Sequence, residues 1–223
     1  MSSLQQSQTG YLFVAGCPRS GTTALWRLLI AHPQICLGDE RYSELYWRPE
    51  FGPGLFAADR FWDLRPGDTF YDDLDRPEYE EMRSRYAKAR YVGDKIPFLT
   101  HVFPALTDRF GRGLRVVTIE RDLDSVLASY RRRSKAPDDL TWAGWDDATA
   151  VAHWLSARKA AHDVADNPSF LTVQYDALLG RGQGLHEILD FLELGSSDKV
   201  ETRLAELVSE SRGIRQLRGS SIV

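Results

Sequence analysis

Hydrophobic period and Gly/Pro punctuation divide this chain into strands that alternate with helices. The run YLFVA predicts a strand over 11–15, and a Gly/Pro/Ser turn follows it. Ala24, Leu25, Leu28 and Leu29 then repeat at helical spacing and predict a helix over 22–31. Farther along, the nearly continuous apolar run LRVVTI predicts a buried strand over 114–119, with a helix over 98–110 before it. Asp122 can cap a further helix that runs to about Arg133. Helices over 148–165, 184–192 and 199–209 and a short strand over 170–173 complete the pattern. Such alternation implies an α/β fold, with a mainly parallel central sheet flanked by helices.

Between 37 and 90 the rhythm fails. Pro49, Gly52, Pro53, Gly54, Pro66, Gly67 and Pro77 interrupt it, so an irregular insertion is expected there. It is rich in large aromatics: Tyr42, Tyr46, Trp47, Phe51, Phe56, Phe61, Trp62, Phe70 and Tyr71. These can form a satellite core under long loops or line a substrate pocket, and the two roles are compatible.

At 223 residues, with no internal repeat, the chain is expected to form one domain over 1–223. With 43% hydrophobic and 27% charged residues it does not read as disordered, collagenous or coiled-coil. A net charge of -4 removes the global basic field that nucleic-acid partners favour, so any anion site must be local. No apolar run approaches the roughly 18 residues of a membrane span, and the opening MSSLQQSQTG lacks a basic, apolar leader. A cytoplasmic location is therefore expected. Cys17 and Cys36 are too few for a disulfide framework and lack zinc-ligand spacing, so both are read as thiols.

The segment Gly16-Cys17-Pro18-Arg19-Ser20-Gly21-Thr22-Thr23 has the glycine spacing of a phosphate loop, GxxxxGK followed by Ser or Thr, and it joins a strand to a helix as that motif requires. Backbone N–H groups of such a loop converge on one concavity, and the helix end favours an anion there. The lysine that reaches nucleoside triphosphates is replaced by Thr22, while a cation appears earlier as Arg19. Glu120 is the one clear acidic magnesium ligand after the 114–119 strand, so ordinary kinase chemistry lacks parts.

CPRSGTTALWRLLIAHP resembles the 5'-phosphosulfate loop of sulfotransferases that use 3'-phosphoadenosine 5'-phosphosulfate, PAPS. The resemblance implies a P-loop NTPase-like sulfotransferase fold, PAPS as co-substrate, PAP as product, and no metal in principle. It assigns Arg19, Ser20, Gly21, Thr22 and Thr23 to the phosphosulfate, with Arg19 near the transferring sulfuryl group. The family's grip on the donor 3'-phosphate, an arginine after a central strand and a serine eight residues on, is matched by Arg121 and Ser129. Eight helical residues advance about 12 Å, so the two converge only if the arginine folds back along the helix. The family's tyrosine-acid pair at a strand end is matched by Tyr175 and Asp176, which would set Tyr175 beside the adenine. Its C-terminal basic-glycine segment has only Arg212, Gly213, Arg215, Arg218 and Gly219 as candidates, without clear register.

Sulfuryl transfer needs an acceptor oxygen in line with sulfur, a base for its proton and positive charge on the leaving oxygen. The histidine that cytosolic members place two residues after a lysine is missing, because Ile96 and Pro97 follow Lys95; His101, nearby, reads as packing. AHPQICLGDER is instead similar to the tyrosylprotein and glycan sulfotransferases, whose first helix leads into a loop with a catalytic glutamate. That similarity points to Glu40 as the base, with Asp39 as second choice, in a partly desolvated setting that strengthens a carboxylate base. GDKIPF resembles the lysine-proline segment of the same subgroup and makes Lys95 the charge stabiliser. Arg131, Arg132, Arg133 and Lys135 first of all complement a helix C-terminus. The expected activity is O-sulfation of a small molecule, sugar, lipid or peptide, with a homo-oligomer as one way to complete the acceptor cleft. An atypical phosphate-loop kinase and a non-catalytic nucleotide-binding module are the alternatives, the latter favoured if Glu40 and Lys95 lie away from the loop.

Overall fold

The computed structural model describes residues 9–70, 74–136, 142 and 144–219, the last six as backbone. Strands β1 (Gly10–Gly16), β2 (Ile35–Asp39), β3 (Tyr91–Lys95), β4 (Leu114–Glu120) and β5 (Phe170–Gln174) form one sheet in the order β2-β3-β1-β4-β5. Every pairing is parallel. The crossovers and flanks contain α1 (Thr22–Ile30), α2 (Ala58–Phe61), α3 (Pro77–Arg85), α4 (Phe103–Phe110), α5 (Leu123–Ser134), α6 (Asp147–Asp163), α7 (Leu185–Phe191) and α8 (Asp198–Gly219). None of these helices, over the described residues, is long and apolar enough to cross a membrane.

β1 occupies the centre because it is apolar on both faces: Leu12, Phe13, Val14 and Ala15 are consecutive and fully buried. Phe13 meets the rings of Phe51, Phe56 and Phe110 at 5.6, 5.5 and 4.9 Å between centroids. The aromatics at 42, 51, 56 and 61 are thus a core against the sheet, each worth about 1.5–3 kcal/mol of burial for a fully buried phenylalanine-sized side chain. Trp47 and Phe70 are exposed, and Tyr71 lies outside the described residues.

Two strands escape the hydrophobic pattern. ICLGD and YVGDK are five residues each, contain a glycine and end in charge, so the irregular stretch lies between β2 and β3 and does not start at 37. Gly93 is required by close approach, since a Cβ there would stand 1.7 Å from the Leu12 carbonyl oxygen. The helix expected over 98–110 splits into a 3-10 run, Pro97–Val102, and α4, while α8 runs on to Gly219. Because all five strands point one way, Gly16, Asp39, Lys95, Glu120 and Gln174 end on a single edge of the sheet. Ligands of open parallel sheets bind on that edge.

Candidate active site

β1 stops at Gly16, whose φ of +149° and 2.6 Å Cβ clearance to the Ile119 carbonyl oxygen exclude any side chain. The turn closes as the Ser20 N–H donates to the Cys17 carbonyl at 3.0 Å, with Arg19 left-handed at φ +69°. Gly21 is the N-cap of α1 and makes no side-chain cap, so the positive end of that helix stays open. Burial pushes the Cys17 thiol up to about 12, against a smaller pull from Tyr130, which leaves it protonated.

Against this helix end lies a cavity of about 190 Å³. Arg19, Arg121 and Arg132 line it together with Thr22, Thr23, Ser129 and Tyr175, and no acidic side chain is among the described residues of its wall. The Arg121 guanidinium lies 3.9 Å from the Tyr175 ring centre, and Nη1 donates to the Arg19 carbonyl at 3.5 Å. Arg19 Nε in turn donates to Ser129 Oγ at 3.1 Å. Tyr175 closes over Gly21, where an added Cβ would strike its ring at 2.6 Å, and its hydroxyl meets Ser211 Oγ of α8 at 3.3 Å. The loop, Arg121, Ser129 and Tyr175 therefore meet around one space. Ser20 differs: its buried Oγ has no hydrogen-bond partner among the described residues and lines a small void with Gly16 and Cys17. The side chains of Arg215 and Arg218 lie outside the described residues.

A second cavity, of about 280 Å³, shares Arg19 and Thr23 with the first. In its wall, β2–β3 register sets Asp39 beside Lys95. Lys95, 2% exposed, places Nζ 2.5 Å from Asp39 Oδ1 and 2.7 Å from Glu40 Oε1. Burial alone would lower the Lys95 ammonium, but the Glu40 and Asp39 carboxylates outweigh it and hold it above the ordinary lysine value. Asp39 also accepts from Arg76 Nη1 at 2.5 Å; burial would raise its carboxyl, yet Lys95 and then Arg76 hold it below the usual value.

Glu40 sits at φ +62°, with its N–H donating to the Lys95 carbonyl at 2.8 Å. The next two N–H groups, of Arg41 and Tyr42, donate to the completely buried Asp94 carboxylate at 3.1 and 2.8 Å. A Cβ at Gly38 would come within 2.8 Å of Asp94 Oδ1, so this glycine admits the carboxylate. Arg41, itself buried, ties the turn to the irregular stretch through Asp68 at 2.8 Å and the Phe61 carbonyl at 3.1 Å. Asp94 was not among the expected site residues, although the twin Gly-Asp pairs of LGDE and VGDK mark it. Likewise unexpected are Phe98, Trp142 and Trp145, which wall the second cavity. His101 is exposed and stacks on Phe98 at 5.4 Å, and Arg131 pairs with Asp147.

A family model described as the sulfotransferase family matches residues 12–198. This chain belongs to that family. The sulfotransferase domain from the curacin biosynthetic pathway aligns with a TM-score of 0.57 at 19% identity, covering 86% of this chain and 76% of that one. A second such domain, from the Synechococcus PCC 7002 olefin synthase, gives 0.56 at 18% identity over 86% and 76%. Mouse sulfotransferase SULT7A1, complexed with PAP, gives 0.50 at 14% identity over 92% and 63%. The chain is thus a sulfotransferase with the α/β fold of its neighbours, a likeness that at these identities concerns the fold. No curated protein sequence matches it. The segment common to the family contains the loop, Glu40, Asp94, Lys95, Arg121, Ser129 and Tyr175 of this sulfotransferase.

Proposed function

We propose that this enzyme transfers a sulfuryl group from PAPS to a hydroxyl of a small acceptor, with Glu40 as base. One observation carries the reading: an arginine-lined cavity without a carboxylate, at an open helix end, adjoins a cavity that holds a Glu–Lys pair, and Arg19 and Thr23 belong to both. Three guanidiniums around so small a space suit a ligand with several negative charges. Arg19, Gly21, Thr22 and Thr23 would hold the 5' end, Ser20 would shape the loop, Arg121 and Ser129 would hold the 3'-phosphate, and Tyr175 would flank the adenine. Bound there, the donor supplies an activated sulfuryl group and leaves as PAP.

The acceptor hydroxyl enters from the other cavity, and Glu40 accepts its proton. Oε1 of Glu40 is tied to Lys95, so Oε2 is the oxygen that takes it. The Lys95 ammonium, kept protonated by two carboxylates, is a fixed positive charge that needs no rearrangement during the reaction. Arg19, on the boundary of both spaces, supplies a second fixed charge. Calorimetry tests the reading: adenosine 3',5'-bisphosphate should bind at least about tenfold more tightly than ATP with magnesium, a difference of about 1.4 kcal/mol. Preference for ATP would overturn it.

A further inference from the structure

Resting on the sulfuryl-transfer reading, we infer that the acceptor is an alcohol carried on a planar aromatic body, received by a wall formed by Phe98, Trp142 and Trp145. The second cavity is strongly two-sided. Three of its charged groups are clustered, with Asp39 and Glu40 both on the Lys95 ammonium, while Arg19 and Arg133 lie apart beside Trp142. The opposite lining is ring after ring: Trp142 and Trp145 lie 4.6 Å apart, and Phe98 continues the surface 6.3 Å from Trp145. Pro18 and Pro97 add wall without an N–H donor, and Arg19, Arg133 and Thr23 supply the rest of the lining. The ring surface itself offers area for stacking and few hydrogen bonds, whereas a sugar needs partners for hydroxyls all round its ring.

The wall is braced from behind. His153 lies 5.2 Å from the Trp145 ring and 4.9 Å from that of Phe98, and its Nδ1 shares a 3.1 Å hydrogen bond with the hydroxyl of buried Tyr130. Burial, then the nearby His101, depresses the His153 imidazole below its usual value, so the brace is uncharged at neutral pH. The guanidiniums of Arg19 and Arg133 lie 5.3 and 5.6 Å from the Trp142 ring centre and hold that ring at the donor boundary. With about 280 Å³, the space lies just below the roughly 300–1,000 Å³ usual for small-molecule sites, enough for a ring system. One hydroxyl at the carboxylate end, one flat body along the rings: the lining selects that shape.

The test is fluorescence titration of the full chain with β-naphthol and with methyl glucoside, each with and without saturating adenosine 3',5'-bisphosphate. Naphthol should bind at least about tenfold more tightly than glucoside and quench tryptophan emission. Phe98→Leu and Trp145→Ala should each weaken naphthol about five- to tenfold and leave bisphosphate affinity unchanged. Because Trp145 also packs on Tyr130 at 5.9 Å, Trp145→Phe is the companion variant and should restore most of the naphthol affinity. Equal binding of glucoside, or naphthol affinity unmoved in both Phe98→Leu and Trp145→Ala, would overturn the inference. Failure of the sulfuryl-transfer reading has a separate signature, absence of bisphosphate binding, and the titrations without bisphosphate still judge the wall in that case.

Discussion

The two cavities on the carboxyl edge of the sheet are built in opposite ways. The first is backbone and guanidinium: a glycine turn, an open helix end and three arginines, with no acidic side chain among its described residues. Beside it, the other balances two carboxylates with two cations, Lys95 set between Asp39 and Glu40 and Arg76 on Asp39, and lines much of the rest with rings. A positive site awaits its counter-charge from a ligand, whereas a paired site is already balanced and can spend its geometry on moving a proton. The difference teaches that, on the proposed reading, binding and chemistry are separable, with Arg19 and Thr23 the described residues common to both cavities.

Substitutions should respect that separation. The largest effect is expected from Glu40→Gln and Lys95→Met, which should each lower turnover about a hundredfold while bisphosphate affinity, read by calorimetry, stays within about twofold. A parallel loss of bisphosphate affinity would mean that the cavities do not act independently. Arg121→Ala should do the reverse, weakening bisphosphate about thirtyfold, as for loss of a charge-assisted contact, while kcat at saturating donor falls much less.

Asp94→Asn sharpens the boundary between holding and reacting. Asparagine keeps one acceptor oxygen but turns a donor toward one of the two N–H groups of Arg41 and Tyr42, at a cost of about 1–3 kcal/mol in unfolding free energy. We expect about a tenfold fall in kcat with donor KM unchanged and a shifted pH–rate profile, because the turn that aims Glu40 slackens. An unshifted profile with lower melting alone would reduce Asp94 to a structural role.

Acid and alkali give the smallest effect. Asp39 is depressed in the fold, so its contribution is complete above the unfolded value of 3.8 and is lost as pH falls through the lower folded value. Lys95 is raised, so its share is complete below 10.5 and is lost as pH climbs through the higher folded value. Thermal melting should be level in between and drop by a few degrees below about pH 4, less so in Asp39→Asn.

Much of the donor half was legible because its signals are local. Glycine spacing between a strand and a helix set the loop, the apolar run LRVVTI located β4, and Asp122 does cap α5 by accepting from the Ser125 N–H. The other half depends on contacts that no period reveals. β2 and β3 end in charged residues that the fold buries, so Asp94 and Lys95 look like loop residues in the sequence. The aromatic stretch between them reads as either a satellite core or a pocket, and the structure gives the core, with Phe51 and Phe56 covering Phe13. The rings that do face the Glu–Lys pair, Trp142 and Trp145, follow α5 in a segment without hydrophobic period, and tertiary packing alone brings them to the site.

Arg19, on the shared boundary, and Glu40, in the second cavity, both hold left-handed backbone that glycine would adopt freely. For an ordinary L-residue that conformation costs on the order of 1–2 kcal/mol. Engineering for heat resistance alone would thus be drawn to these two positions and would delete the proposed base and the cation shared by both cavities in doing so. A hardier variant of this enzyme must look for its gains elsewhere, because at these two sites ruggedness and turnover compete.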